Sequence, residues 1–438
     1  MTDLSVISQD GVAASTGQAE ASATRSPLLA DPPGQSQSHP ESEPFKRGPG
    51  PEAGKGVKPA HPEAGPKGPN PSADGSPPSL GPAFNRPDDL FAGLTGQVPR
   101  LPQGLHGLQN GLRQAADTSR IRIPLNYLAL IEAPGDPIWL QSVPHPAEWE
   151  ARESGADRGI QPGRDPLAED RPEHSPVPHL TIRYPDRALL QVTGLCPMYC
   201  RFCMRKRKTL QGEAILPRAV DAALEALAHH PAVREVILSG GDPLMVPDNR
   251  LLSIARRALA VPHVRSLRIH TRMACMAPER ITPELVRGLG GLGAGVGKDP
   301  VWMALHFNHP RELTGPASAA VTRLRRGGIP LLSQTVLLKG VNDHPQVLAE
   351  LYQGLIRLGV HPYYLHHPDW IEGTDHFRLS VSRGLEIVAG LRRLMPELVM
   401  LHYVLDTPGG GGKIPLSLPD GGTNPDGEEE AGAETARP

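Results

Sequence analysis

From about residue 186 onward the chain alternates short apolar runs with segments of helical periodicity, and this alternation restricts the fold more than any other feature. "RALLQVTG" reads as a buried strand, and "LPRAVDAALEALAHH" then aligns Val220, Leu224 and Leu227 on one helical face. The unit repeats as "REVILSGGD" before "NRLLSIARRALA", as "VRSLRIHT" before "TPELVRGLG" with Thr282 as helix cap, and as "VWMALHF" before "PASAAVTRLRRGG". "IPLLSQTVLLKG" precedes "DHPQVLAELYQGLIRLG", in which Leu348, Leu351, Leu355 and Leu358 share a face, Asp343 is placed to cap the start and Gly359 to end it. "VHPYYLHH", "SVSRGLEIVAGLRRL" and "LVMLHYVLD" complete the series. Repeated strand–helix units require right-handed crossovers and parallel strands. The expected class is α/β, as an open doubly wound sheet or a full or partial barrel, and both place function at the C-terminal ends of the strands.

Those ends carry Cys196, "SGGDP", "HTR", "HFNHP", Gln334, Asp369 and Asp406, which are expected to form one composite site. In "GLCPMYCRFCMRKR" Cys196, Cys200 and Cys203 follow a C-x3-C-x2-C spacing and are three of the chain's four cysteines. Structural zinc normally takes four protein ligands and a disulfide two, so three thiols suit a site with one open position. By spacing alone, an iron–sulfur cluster, a zinc site completed by a distant His or Cys275, and three unrelated thiols are all compatible. "SGGDP" in isolation marks a plain turn. "LDTPGGGGKIP" presents Lys413 behind four glycines that permit close backbone approach, and a lysine amine can form an imine with a carbonyl; the plain alternative is a flexible linker. Asp369 and Asp406 singly read as caps or surface carboxylates. Facing one cation they would form a clamp, and without it one would tend to protonate.

"CPMYCRFC" followed one strand later by "SGGDP" resembles the radical S-adenosylmethionine (SAM) enzymes. With "RYPDR" and "LDTPGGGGKIP" included, the stretch from "DPLAEDRPEHSPVPHL" at 165 to "KIPLSLPD" at 420 closely resembles the lysine 2,3-aminomutase family. The resemblance implies an α/β fold built as a partial (βα)6 TIM-type barrel, an isomerase activity, and three cofactors: a [4Fe–4S] cluster, S-adenosyl-L-methionine and pyridoxal 5'-phosphate. It assigns Cys196, Cys200 and Cys203 to the cluster, and Gly240, Gly241, Asp242, His306 and Gln334 to SAM. Lys413 would hold pyridoxal phosphate, with Arg187 on its phosphate supported by Arg183 and Tyr184. Arg205 would pair with the substrate carboxylate, and Asp369 and Asp406 would clamp the side-chain ammonium of lysine. A 5'-deoxyadenosyl radical would take hydrogen from the β-carbon, nitrogen would migrate, and the product would be L-β-lysine.

The same resemblance implies a small-molecule amino acid substrate and a reductant such as flavodoxin or ferredoxin as partners. The residues after Lys413 lack the cysteine-bearing segment that in longer members binds zinc and joins subunits, and His344 stands where one zinc cysteine would fall. Zinc is therefore not expected, and a homo-oligomer is left open. Rivals are an arginine or glutamate aminomutase, the β-lysine-forming enzyme of elongation factor P modification, and a non-catalytic iron–sulfur carrier or sensor. Cys275 reads as a buried structural thiol.

Composition divides the chain. Residues 1–85 are a Ser/Pro/Gly/Ala tract whose only aromatics are Phe45 and Phe84, too little apolar surface to offset the entropy of ordering, so disorder is expected. Residues 86–185 are expected to form an N-terminal helical subdomain, 186–404 the barrel, 405–420 the Gly-rich lysine segment, and 421–438 an acidic tail. "MTDLSVISQD" does not match a secretory or transit signal and no apolar run reaches membrane-spanning length, which argues for the cytoplasm and no membrane. A formal charge of −2 with interspersed signs gives no reason for nucleic-acid binding, and "RKRK" at 205–208 reads as a solvated or anion-facing loop.

Overall fold

The computed structural model describes residues 83–97, 121–148, 165–209, 215–293, 299–396, 401–407, 409 and 411–417. The expected disordered tract through 82 and the acidic tail lie outside the described residues. Two short strands, β1 (Ala83–Phe84) and β2 (Ile123–Pro124), pair antiparallel beside short helices at Pro87–Gln97, Leu125–Leu128 and Pro137–Ser142. Asp136 caps the last of these, accepting from the N–H groups of Ile138 and Trp139.

The rest is one nine-stranded sheet whose spatial order follows the sequence. Its strands are β3 (Leu180–Tyr184), β4 (Arg187–Thr193), β5 (Glu235–Gly240), β6 (Ser266–Thr271), β7 (Val301–His306), β8 (Leu331–Val336), β9 (His361–His366), β10 (His402–Thr407) and β11 (Gly412–Pro415). Neighbours from β4 to β10 run parallel, while β3 and β11 add to the two edges as antiparallel hairpin partners. The edges meet: the backbone N–H of Lys413 in β11 donates to the Tyr184 hydroxyl in β3 at 2.8 Å. The sheet is therefore curled into a nearly closed barrel.

Helices at Pro217–Ala228, Asp248–Ala260, Pro283–Gly290, Gly315–Arg326, Pro345–Arg357 and Val381–Leu394 follow successive strands, giving the six expected strand–helix units and a seventh parallel strand. Each helix turns its apolar stripe to the sheet, as Val220, Ala223, Leu224 and Leu227 do, and such burial contributes about 1.5–3 kcal/mol per large side chain. The strands obey a period of two. Leu190 and Val192, Val236 and Leu238, Leu267 and Ile269, and Met303 and Leu305 are buried in the hydrophobic core. The alternating Ser239, Arg268, His270, His306, Gln334 and His366 line an interior cavity.

Two expectations change. Asp343 caps nothing: the helix starts at Pro345 with His344 at the cap position and no side-chain hydrogen bond there. Pro345 fixes the first helical residue and leaves Asp343 one position too early. Leu180–Tyr184, placed above in the N-terminal region, joins the sheet as its edge. The linker alternative for the glycine segment also falls: β10 and β11 pair antiparallel on either side of it, with Gly409 at φ +75° and Gly412 at φ +90°.

Candidate active site

The loop that follows β4 presents Cys196, Cys200 and Cys203 to the interior cavity, which has a volume of about 480 Å³. The loop is pinned by the end of β5: Gly241 N–H donates to Thr193 O at 2.7 Å and Asp242 N–H to Leu195 O at 2.8 Å. Only glycine permits this approach. Gly240 has φ +128°, a Cβ there would lie 2.2 Å from Thr193 O, and a Cβ on Gly241 would lie 2.1 Å from Leu195 O. Gly241→Ala is therefore expected to destabilise the fold by about 1 kcal/mol or more and to lower iron per chain after reconstitution, read from thermal unfolding and iron assay. The Asp242 carboxylate accepts from Leu244 N–H (3.0 Å), Thr271 Oγ1 (2.8 Å) and Arg272 N–H (2.8 Å), so it ties β5 to β6 and is not a free ligand.

Beyond Cys203, "RKRK" faces anions, and those anions are the protein's own carboxylates. Arg205 makes a two-point pair with Glu169 (Nε 3.1 Å, Nη2 2.7 Å), Lys206 bonds Glu148 at 3.0 Å, Arg207 reaches Asp165 and Asp170 at 2.8 Å each, and Lys208 reaches Asp170 at 2.7 Å. The acidic "DPLAED" stretch thus fastens the C-terminal flank of the cysteine loop. Burial works to raise the Glu169 carboxyl, but Arg205 and the neighbouring cations prevail and hold it at about 2.

The opposite wall carries the other motif. Lys413 Nζ bonds Asp406 Oδ2 at 2.6 Å, and Arg183 reaches the second Asp406 oxygen at 3.5 Å. Arg187 pairs with Asp186 (2.9 and 3.0 Å) and lies 4.8 Å from the Tyr184 ring centroid. Asp369 also lines the cavity; burial, then the Asp406 charge, push its carboxyl up to about 7 against the pull of Lys413 and Arg378. This is the repulsion expected of two carboxylates sharing a site. His366 faces the Lys413–Asp406 pair, and burial followed by the Lys413 charge depress it to about 3, so its ring is neutral.

His306 and Gln334 line the same space, His306 Nε2 lying 3.0 Å from Asn308 Oδ1 and Gln334 Nε2 lying 3.5 Å from His270 Nε2. Every residue singled out above as a site candidate therefore borders one cavity: Arg183, Tyr184, Arg187, Cys196, Cys200, Cys203, Arg205, Gly240, Gly241, Asp242, His306, Gln334, Asp369, Asp406 and Lys413. The sequence reading missed further side chains of that wall. Arg272, noted only as a strand end, donates to Cys200 Sγ at 2.8 Å, and Glu169, Arg268, His270 and His366 carried no assignment although each belongs to a strand end, an inward strand position or a quoted motif. Cys275 is buried, with Sγ donating to Arg272 O at 3.1 Å, and does not line the cavity.

The donor set fits a cluster with an open iron: three thiols face the cavity from one loop. Among the described residues no three His, Cys, Asp or Glu side chains are arranged to hold a single metal ion. A four-iron cluster does not need that, because each thiolate binds a separate iron. Likewise the buried Nε atoms of Arg183 and Arg268 have no hydrogen-bond partner among the described residues, which suits a wall built for an anionic group.

Residues 190–351 match the family model described as the Radical SAM superfamily, which defines the class as radical SAM enzymes. The chain is 42% identical over 311 residues to the L-lysine 2,3-aminomutase of Acetoanaerobium sticklandii, covering 70% of this chain and 72% of that protein. It is 42% identical over 309 residues to the L-lysine 2,3-aminomutase of Fusobacterium nucleatum, covering 70% and 69%. This chain belongs to the lysine 2,3-aminomutase family, and is an isomerase. A glutamate 2,3-aminomutase from Clostridioides difficile is 34% identical over 308 residues, covering 70% of this chain and 69% of that protein. No helix among the described residues is long and apolar enough to cross a membrane.

Proposed function

We propose that the protein converts L-lysine to L-β-lysine, with pyridoxal phosphate held at Lys413. The observation that carries this reading is that Lys413, the three cysteines and the Asp369–Asp406 pair all open on one cavity. Bound here, the cluster and SAM would supply radical chemistry and pyridoxal phosphate a carbonyl for the migrating amine. The residues have separable tasks. Cys196, Cys200 and Cys203 hold the cluster, while His306, Gln334 and the backbone of Gly240 and Gly241 border SAM. Asp242 acts indirectly, by holding the β5 and β6 ends. Asp406 accepts a hydrogen bond from Lys413 Nζ and so holds the amine at the cavity wall. Arg183 and Arg187, with Tyr184, face the phosphate.

Arg205 receives the substrate carboxylate. Glu169 occupies its Nε–Nη2 edge, so the Nη1 side of the guanidinium is the one left for substrate. Asp369 and Asp406 take the side-chain ammonium, and a glutamate side chain at the same place would meet two carboxylates. The enclosing barrel excludes water from the radical. A flavodoxin- or ferredoxin-type protein is the class of reductant this chemistry calls for.

The test is to incubate the anaerobic, reconstituted and reduced chain with lysine, arginine and glutamate separately and to assay the β-amino acids. Lysine should turn over best, and preference for glutamate would overturn the assignment of the aspartates. The electrostatics add a pH dependence. Asp369 is protonated below about pH 7 in the ligand-free site and ionised above it, whereas the lysine ammonium stays charged throughout. The KM for lysine should therefore fall as pH rises through about 7. That limb of the kcat/KM profile should vanish in Asp369→Asn.

A further inference from the structure

We propose that Arg272 is a positioning residue that sets the reduction potential of the cluster, acting through Cys200. Its Nη1 donates to Cys200 Sγ at 2.8 Å, and its second terminal nitrogen Nη2 donates to Glu312 Oε1 at 2.6 Å and Gln141 Oε1 at 2.6 Å, with Tyr127 Oη at 3.3 Å. Phe202, between the second and third cysteines, stacks its ring 5.1 Å from the guanidinium carbon. Both charged partners are buried, Arg272 at 7% side-chain exposure and Glu312 at 0%.

Glu312 is itself fixed, accepting from Tyr127 Oη at 2.6 Å, Asn308 N–H at 2.6 Å and His309 N–H at 3.1 Å. Nη2 is thereby anchored on Glu312 and Gln141 while Nη1 meets the sulfur. The ion pair is a fixed dipole with its positive end on Cys200 and its negative end behind it. Coulomb energy falls with distance, so the nearer positive end dominates at the cluster. A cluster gains negative charge on accepting an electron, and hydrogen bonds and charge beside its sulfurs tune its potential. Arg272 therefore favours the reduced cluster that SAM cleavage requires.

The inference rests on cluster ligation by the three cysteines and not on the lysine or pyridoxal readings, so its test omits both compounds. Full-length protein is reconstituted anaerobically and titrated potentiometrically, with the reduced cluster followed by electron paramagnetic resonance. Arg272→Gln should keep its iron content and cluster spectrum, yet show about a tenfold lower ratio of reduced to oxidised cluster at a fixed potential, a downward shift of about 59 mV for one electron. Arg272→Lys, which keeps the charge, should recover most of that ratio. Glu312→Gln removes the opposing negative end and should shift the ratio the other way. An unchanged potential in Arg272→Gln with full iron overturns the proposal. If that variant fails to hold iron, a Glu312→Gln potential that is unchanged or lower overturns it instead.

Discussion

Lys413→Ala is expected to retain its iron and its ultraviolet–visible cluster spectrum while aminomutase turnover drops by about three orders of magnitude or more. The asymmetry follows from how the residue is held. The backbone of Lys413 belongs to the β10–β11 ladder, opposite Asp406, and its N–H is fixed by Tyr184, so removing the side chain leaves the strand in place. Asp406 keeps Arg183 as a counter-charge, and no buried carboxylate is stranded. Only the amine is lost. Borohydride reduction of the pyridoxal-loaded protein followed by peptide mapping checks this: the parent chain should give a pyridoxyl adduct on Lys413 and the variant none. Adduct formation elsewhere in the parent, or undiminished turnover in the variant, would sink the assignment.

Asp369→Asn carries the second large effect. Truncating one member of a buried charge pair typically costs 2–5 kcal/mol, so kcat/KM for lysine should fall roughly 30-fold or more. Stability should move the other way, or not at all. In the ligand-free site Asp369 is a carboxyl raised by burial and by the Asp406 charge, and an amide relieves that repulsion. A variant that lost its cluster or unfolded at lower temperature would show that Asp369 is structural. Comparing lysine with glutamate in the same variant gives a further readout, because the penalty on an acidic side chain should shrink.

The barrel was legible because its signals are local. Leu348, Leu351, Leu355 and Leu358 repeat at the helical period, and β5 to β7 read as short apolar runs, so both patterns survive within a dozen residues. The cysteine loop and Lys413 were legible through composition that a structural role rarely needs. What stayed hidden was the polar scaffold. Tyr127 meets Glu312 across 185 residues of sequence, and Gln141 meets Arg272 across 131. Such pairs have no period, and each partner alone looks like an ordinary surface residue. The anions that "RKRK" faces stayed hidden for the same reason: they come mainly from "DPLAED", a separate segment whose proximity only the fold creates.

The single hydrogen bond between Tyr184 and the backbone of Lys413 joins residues 229 positions apart. During synthesis the thiol loop emerges long before the amine that shares its chamber. A nascent chain interrupted in between holds the three cysteines yet lacks both β11, whose backbone meets Tyr184, and the Lys413 amine. On the proposed function, the cluster loop and the amine that captures the substrate are thereby joined only once both edges of the sheet have been made.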